Sequence, residues 1–312
     1  MAELLPFSRD AVVQLSASLN EPEWMLDLRL QAWEIFASLP MPTTRDEAWR
    51  RTDIRRFKLD SFGISLNGNG ATGAKVPSHL AAQLTEDAAG GVLVEVDGLV
   101  KDYSLSDELR GQGVVFCDMH TAVREHGDLV RKYFMTEAVR ADAGKFAALH
   151  AAFWRGGVFL YVPRNVTAAA PLHSALWATS GHTFTHTLVV LDTNSEATFI
   201  DEYASPAKGE GQALHNGAIE LIVRDGASLH YASLQDFGTN VWQFNHECVR
   251  VGRDGKLDWI TSVMGTRLTK AFQTSELDAP GAWARMSGIF FTNGRQHIDL
   301  DTLQNHNAAD TT

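Results

Sequence analysis

Two histidines, His182 and His186, stand four residues apart and are the most suggestive sign of chemistry in the sequence. A metalloprotease helix carries a glutamate directly after its first histidine, whereas this chain has Thr183 there. The surrounding threonines favour a strand, on which residues i and i+4 share one face. Together with His173 and Glu196, these histidines could form a cupin-like metal site and support a metal-dependent enzyme. We favour the alternative that they are polar residues on the outside of a strand.

The two cysteines, Cys117 and Cys248, are the other candidate metal ligands. Neither has a partner at CxxC spacing, and both lie in apolar segments, so we interpret them as small core residues. Two distant cysteines do not suggest a disulfide framework and fit a reducing compartment. No secretory signal is recognisable at Met1 and the residues after it, so we expect a cytoplasmic protein.

Paired acids offer a further possibility, since two carboxylates can divide general acid and base work. Asp201 and Glu202 are adjacent, while Asp299 and Asp301 would share one face of a strand. No partner base accompanies either pair, and we interpret all four as solvated strand residues. No Walker A motif is present, so we do not expect this chain to hydrolyse ATP.

The charge balance argues against two classes of partner. Acidic residues outnumber basic ones by 38 to 27, which gives a formal net charge of -11. A nucleic-acid-binding surface or an anionic membrane would require clustered lysine and arginine. Arg50, Arg51, Arg55 and Arg56 form a local basic group, which we interpret as a solvated helix face. No apolar run reaches the roughly 18 residues that a membrane span needs.

The first half of the sequence has a mainly helical pattern. A helix should begin at Pro22 and end before Leu39-Pro40, because proline is tolerated in the first turn and disfavours a helical residue before it. A second helix is predicted after Thr44, which has capping-box spacing to Glu47. Further on, the sequence predicts a loop, a hairpin and another helical region, at residues 66–74, 91–103 and 128–153.

From about Gly157 the texture changes to short β-rich runs that end in turn residues. The turns at residues 163–165, 192–195, 224–226, 253–255 and 292–294 recur at roughly 30 residues, with one wider gap near 40. Such a period indicates repeat architecture, in which stacked strand pairs bury what a single pair cannot. A β-sandwich or jelly roll could give a similar spacing, but we favour a parallel β-helix.

Several segments are similar to a known family. In the first half these are Glu21-Pro22-Glu23-Trp24-Met25, Leu39-Pro40-Met41-Pro42-Thr43 and Glu47-Ala48-Trp49-Arg50-Arg51-Thr52-Asp53. In the second half they include Tyr161-Val162-Pro163-Arg164-Asn165-Val166, Ile200-Asp201-Glu202-Tyr203-Ala204-Ser205-Pro206 and Leu229-His230-Tyr231-Ala232-Ser233-Leu234-Gln235-Asp236. These residues resemble the SufB/SufD family of scaffold proteins in SUF iron–sulfur cluster assembly, and they fit its SufD branch better than its SufB branch.

The resemblance implies a mainly β protein with a right-handed parallel β-helix over residues 151–312. A helical and α+β domain over residues 1–150 would precede it. The implied function is that of a non-catalytic scaffold subunit that works with a SufB-like subunit and a SufC-like ATPase. Such a chain would bind no cofactor alone, because the complex as a whole handles the iron–sulfur cluster. We therefore assign no catalytic, cofactor-binding or metal-binding residue.

Family members extend beyond the position that matches Thr312. We therefore expect this sequence to lack the last β-helix coils, the Cys/His interface motif and the C-terminal helices that dock the ATPase. An incomplete stack would expose a strand edge, and this makes a homodimer possible.

Overall fold

A computed structural model describes residues 4–66, 76–77, 89–179 and 181–312. The loop predicted at residues 66–74 lies outside the described residues except for Leu66. Six helices are present in the described part: α1 Arg9–Ser18, α2 Glu23–Ser38, α3 Asp107–Gly111, α4 Met119–Glu125, α5 Gly127–Tyr133 and α6 Lys145–Phe153. Short 3-10 turns occupy Glu47–Trp49, Leu59–Ser61 and Ala141–Ala143.

The helix predicted after Pro22 is confirmed, because α2 begins at Glu23 and ends at Ser38. The second predicted helix was wrong, since only the 3-10 turn Glu47–Trp49 forms there. The carboxylate of Asp46 accepts the Thr43 backbone N–H at 2.7 Å, a local turn that competes with helix formation. The region 128–153 is likewise divided into α5, a 3-10 turn and α6, and Met135 has a positive φ of 53° within the break.

Sixteen strands are found in the described residues. They are β1 Leu5–Pro6, β2 Gly63–Ile64, β3 Gly91–Val96, β4 Leu99–Leu105, β5 Val115–Asp118, β6 Gly157–Val162, β7 Leu172–Trp177, β8 His182–Leu191, β9 Glu196–Ala204, β10 Ala213–Val223, β11 Ser228–Phe237, β12 Val241–Val251, β13 Lys256–Gly265, β14 Leu268–Leu277, β15 Trp283–Phe291 and β16 His297–His306. The hairpin predicted around Asp97-Gly98 is confirmed as β3 and β4.

Two seven-stranded sheets form the body of the protein. Sheet 1 has the order β5-β6-β8-β10-β12-β14-β16, and sheet 2 has the order β4-β3-β7-β9-β11-β13-β15. From β6 onward, successive strands alternate between the sheets and pair in parallel with the strand two positions away. This arrangement is a parallel β-helix of about five turns behind a helical N-terminal region, and it confirms the predicted fold class.

The wider gap in the predicted turn spacing has a simple structural cause. Neither strand β14 nor the turn around Pro280 that follows it was predicted from the sequence. The next turn recognised, at residues 292–294, connects β15 to β16 at the opposite lateral edge of the β-helix. With the missed turn included, the coils have a nearly regular length, as the pairing of Ala213 with Val241 and of Lys256 with Trp283 shows.

Two large apolar cores in the described residues hold these layers together. One lies between the sheets and includes Val189, Leu191, Phe199, Leu229 and Trp259. The other lies between the outer face of sheet 1 and the N-terminal helices, where α6 contacts β10 and β12. Each buried large apolar side chain contributes about 1.5–3 kcal/mol to the stability of the folded chain. The N-terminal helices therefore cover a sheet face that would otherwise be exposed.

The strands β15 and β16 form the edges of the two sheets, and the side chains of Ile289, Phe290, Phe291 and Leu303 are exposed there. None of the described helices has the length and apolar character that a membrane-spanning helix needs. The division of the chain at residue 150 stays a prediction.

Candidate functional site

The four residues of the sequence-predicted metal site do not come together. His173 and Glu196 lie on strands of sheet 2, whereas His182 and His186 lie on β8 of sheet 1. His173 Nε2 faces Glu202 Oε1 at 3.4 Å, and Glu196 is exposed at the start of β9. In residues 4–66, 76–77, 89–179 and 181–312, no group of three or more histidine, cysteine or acidic side chains could hold a metal ion. The hypothesis of a metal site from these residues was therefore wrong.

The favoured interpretation, that these histidines are polar residues on the outside, was wrong as well, because His173, His182 and His186 are all buried. His186 belongs to a buried polar chain beneath α6. Its Nδ1 lies 3.0 Å from Nε2 of His150, and its Nε2 lies 3.1 Å from Oε1 of Glu220. The Glu220 carboxyl group accepts the backbone N–H groups of Met135 and Val139 at 2.7 and 3.0 Å. Burial lowers the pKa of His186 to about 3 and raises the pKa of Glu220 to about 8, so both are neutral near pH 7. This buried polar chain fixes the helical layer on sheet 1.

The two cysteines are separate as well. Cys117 is half-buried on β5 and Cys248 is buried on β12, four strand positions apart in sheet 1, which corresponds to roughly 19 Å. Burial raises the pKa of each thiol to about 12. Metal and cluster ligation uses thiolates, so these protonated thiols fit the predicted core role better than a ligand role.

Several buried polar side chains lie in the space between the sheets, toward the carboxyl-terminal ends of the sheet 2 strands. We call this region the polar interior. The carboxylate of Asp201 lies at its centre and accepts hydrogen bonds from the hydroxyl groups of Ser174 at 2.5 Å, Thr187 at 2.8 Å and Tyr231 at 3.1 Å, and also from Tyr203. Thr187 is on sheet 1 and Asp201 is on sheet 2, so this cluster joins the sheets. Burial raises the pKa of Asp201, while the four hydroxyl groups oppose that rise.

A second carboxylate, Glu247, extends the polar interior through the next coils. It accepts Gln273 Nε2 at 2.8 Å and Asn245 Nδ2 at 3.1 Å, and Gln273 also donates to Thr261 across the sheets at 3.2 Å. Gln235 Nε2 and Asn245 Oδ1 are buried and have no hydrogen-bond partner among the described residues. Unpaired buried polar groups are costly.

A cavity of about 220 Å³ lies near the polar interior, and the ring of its lining residue His215 is 5.7 Å from the ring of Tyr203. Its lining includes exposed Lys208 and half-buried Ser205 from the loop between β9 and β10, and buried Thr183 and His215 from inside. His215 Nδ1 lies 3.0 Å from Thr183 Oγ1, and burial lowers the pKa of His215 to about 3. The ring is therefore neutral and offers a hydrogen bond rather than a charge.

The interpretation of Asp201 and Glu202 as solvated residues was wrong, because both are buried. Asp201 points between the sheets, where it meets hydroxyl groups from three other strands. Asp299 and Asp301 do share one face, as predicted, since both approach Nζ of the buried Lys270, at 3.0 and 3.6 Å. Alternation along a strand indicated which residues share a face, but not which face is covered.

These buried groups predict a stability maximum near pH 6.5–7. Each buried histidine stays neutral when folded but binds a proton when unfolded, so stability is lost as the pH falls below about 6.5. Burial raises the pKa values of the Glu95 and Glu220 carboxyl groups to about 8. These groups have the opposite effect on stability, because they keep a proton in the folded state that they lose in the unfolded state, so stability is lost as the pH rises from about 4.5 through 8. The histidines with lowered pKa are His120, His150, His182, His186, His215 and His246.

Urea unfolding at pH 5.5, 7 and 8.5 checks this prediction. Above pH 7 each of the two carboxyl groups contributes a slope of up to about 1.4 kcal/mol per pH unit. Glu220→Gln should make the decrease from pH 7 to 8.5 shallower, whereas Glu125→Gln, at an exposed position of α4, should leave it unchanged. A free energy of unfolding that rises from pH 7 to 8.5 would contradict the assignment of neutral buried carboxyl groups.

Comparison with known families accounts for almost the whole chain. The description "SufBD protein N-terminal region" matches residues 13–173, and "SUF system FeS cluster assembly, SufBD core domain" matches residues 175–312. The chain belongs to the SufBD family of iron–sulfur cluster assembly proteins. The core-domain match covers the β-helix strands from β8 onward, and the N-terminal match runs from within α1 to the start of β7.

Individual SufBD relatives show the same relationship. The iron–sulfur cluster assembly protein SufD of Bacillus subtilis is 32% identical over 304 residues, which cover 96% of this chain and 68% of the relative. A SufBD family protein of Staphylococcus epidermidis is 28% identical over 319 residues, which cover 97% of this chain and 66% of the relative. A SufBD family protein of Staphylococcus haemolyticus matches to the same extent. The chain spans about two thirds of the length of these relatives.

Proposed function

We propose that this chain is a non-catalytic scaffold subunit of a SUF-type complex, in which it supports iron–sulfur cluster assembly together with a SufB-like subunit and a SufC-like ATPase. The observation that carries the proposal is the SufBD match over nearly the full chain, combined with similarity to a protein named SufD. The cluster is the cargo of the complex in this proposal and not a resident cofactor of the chain.

The polar interior is compatible with a structural role in such a subunit. The Asp201 carboxylate is held by side chains from both sheets, and the Glu247 carboxylate is held by Asn245 on its own strand and by Gln273 from the next coil. Hydrogen bonds such as those around Asp201 rigidify a core and specify one arrangement of its strands. A rigid β-helix is what a platform for other subunits requires. The proposed compartment is the cytoplasm, where free thiols such as Cys117 and Cys248 persist.

Co-expression tests the proposed assembly. The complete product of the gene, carrying an affinity tag, should retain the SufB-like and SufC-like proteins of the same genome through purification and elute with them as one species in size-exclusion chromatography. An unrelated tagged β-helix protein is the control. If the two untagged proteins associate with each other but never with this chain, the proposed subunit role is wrong.

Elemental analysis separates this proposal from a metal-dependent enzyme. The aerobically purified chain should contain no stoichiometric metal that depends on the strand histidines. Stoichiometric metal that disappears in a His182→Ala, His186→Ala double variant would favour the enzyme instead.

A further inference from the structure

A polar cleft of about 340 Å³ lies where the segment after the 3-10 turn Glu47–Trp49 meets the beginnings of β14 and β16. Segments more than 200 positions apart in sequence contribute to its lining. The basic residues that line it are Arg51, Arg55, Arg56, Arg267 and His297, and the other lining residues are Asp53, Trp242 and Leu268. The arginines of the first segment were interpreted as a solvated helix face, but the structure places them in no helix.

Specific hydrogen bonds fix the first segment against the β-helix. The hydroxyl group of Thr52 lies 3.1 Å from Nε2 of His297 and donates to the carboxylate of Asp299. At the other end of the segment, Gln212 Oε1 accepts the Lys58 N–H at 3.0 Å, and Gln212 Nε2 donates to the Arg56 carbonyl at 2.7 Å. The backbone that carries the arginines is therefore anchored at both ends, which reduces the entropy lost on binding a ligand.

The charges in the cleft are only partly neutralised. Asp53 pairs with Arg55, with Oδ2 and Nη2 2.6 Å apart. Within the described parts of the chain, Arg51 and Arg56 have no carboxylate partner. Arg267 donates to the backbone carbonyl of Arg295 and lies over the Trp242 ring at 5.8 Å, and neither contact cancels its charge.

The lining contains four arginines and one aspartate, so it carries three net positive charges. This concentration stands out in a chain whose net charge is -11. Guanidinium groups bind phosphate oxygens in a bidentate fashion, and convergent arginines are suited to anions with several charges. The cleft volume lies at the lower end of the range for small-molecule sites. Its lining has only two apolar residues, too few for the apolar anchors that seat most peptides.

We propose that this cleft binds a small multivalent oxyanion of the phosphate class. The proposal rests on the cleft alone and stands independently of the scaffold role. Inorganic pyrophosphate is the probe, because it carries several charges and fits the volume, and orthophosphate is its less charged counterpart. Binding should weaken as salt is added, since ions screen exposed charges.

Isothermal titration calorimetry with pyrophosphate at low ionic strength tests the site. Arg267→Gln and Arg56→Gln should each raise the dissociation constant about tenfold, which corresponds to a loss of about 1.4 kcal/mol in binding free energy. The side chain of Arg56 is exposed and makes no hydrogen bond within the described residues, so its loss should leave folding intact. The matched control is Arg131→Gln, which removes the same charge from an exposed position of α5 and should change the constant by less than about twofold.

Several results would overturn the proposal. One is the absence of pyrophosphate binding by the unmodified chain at millimolar concentration. Another is an equal loss of affinity in Arg131→Gln, which would indicate an effect of net charge alone. Binding of an oligoglutamate peptide without binding of pyrophosphate would assign the cleft to an acidic protein segment instead.

Discussion

Arg29→Met is expected to lower the free energy of unfolding by about 3–5 kcal/mol, because it leaves a buried carboxylate without its partner. Arg29 is fully buried, and Nε and Nη2 bind the two carboxylate oxygens of Glu21 at 2.7 and 2.6 Å. The same guanidinium donates to the carbonyl groups of Ala152 and Trp154 at the end of α6 and stacks over the Trp154 ring at 4.6 Å. One side chain thus joins α2 to the helix that packs on sheet 1.

Urea unfolding followed by circular dichroism measures this effect. The double variant Arg29→Met, Glu21→Leu should recover much of the loss, since it removes both charges. The control is Arg9→Met, which breaks an exposed ion pair with Glu34 at 3.9 Å and should cost less than about 1 kcal/mol. An Arg29→Met variant as stable as the Arg9→Met variant would show that the buried pair does not hold the helical layer in place.

Asp201→Ala is expected to cost about 2–4 kcal/mol, because four buried hydroxyl groups lose their common acceptor. Removing the buried carboxyl group also removes the cost of burying it, so the net loss is smaller than four separate hydrogen bonds would give. The loss of stability in Asp201→Asn should be intermediate, because the amide retains one acceptor oxygen.

The matched control for this variant is Asp236→Ala, at an exposed position on the neighbouring strand β11, which should change stability by less than about 0.5 kcal/mol. The measurement is again urea unfolding, at pH 7. Equal stability of Asp201→Ala and the unmodified chain would mean that the polar interior does not stabilise the β-helix.

The β-helix could be predicted from the sequence because its turns carry local signals. Residues such as Asn194, Gly226 and Asp254 adopt positive φ at corresponding turns, and side chains of these types announce such turns. Strand β14 was missed because its sequence mixes polar and apolar residues without a clear period. Its backbone is fixed by neighbouring coils, such as the pairing of Trp242 with Leu268, and not by its own propensity.

The polar interior and the buried histidine chain could not be predicted for a different reason. His186 is covered by α6, and Asp201 meets Thr187 from the opposite sheet. Both environments depend on contacts between elements whose relative placement no local pattern reveals. The basic cleft arises in the same way, because Arg267 comes close to Arg56 only where the N-terminal segment packs against the β-helix.

The central claim, that this chain works in iron–sulfur cluster assembly, is tested most directly in cells. The gene is deleted from the organism that encodes it, and the specific activity of a cluster-dependent dehydratase is measured under iron limitation together with the amount of that enzyme. The account predicts that activity falls while the amount of enzyme is maintained, and that the reintroduced gene restores activity. Unchanged specific activity in the deletion strain would contradict the account.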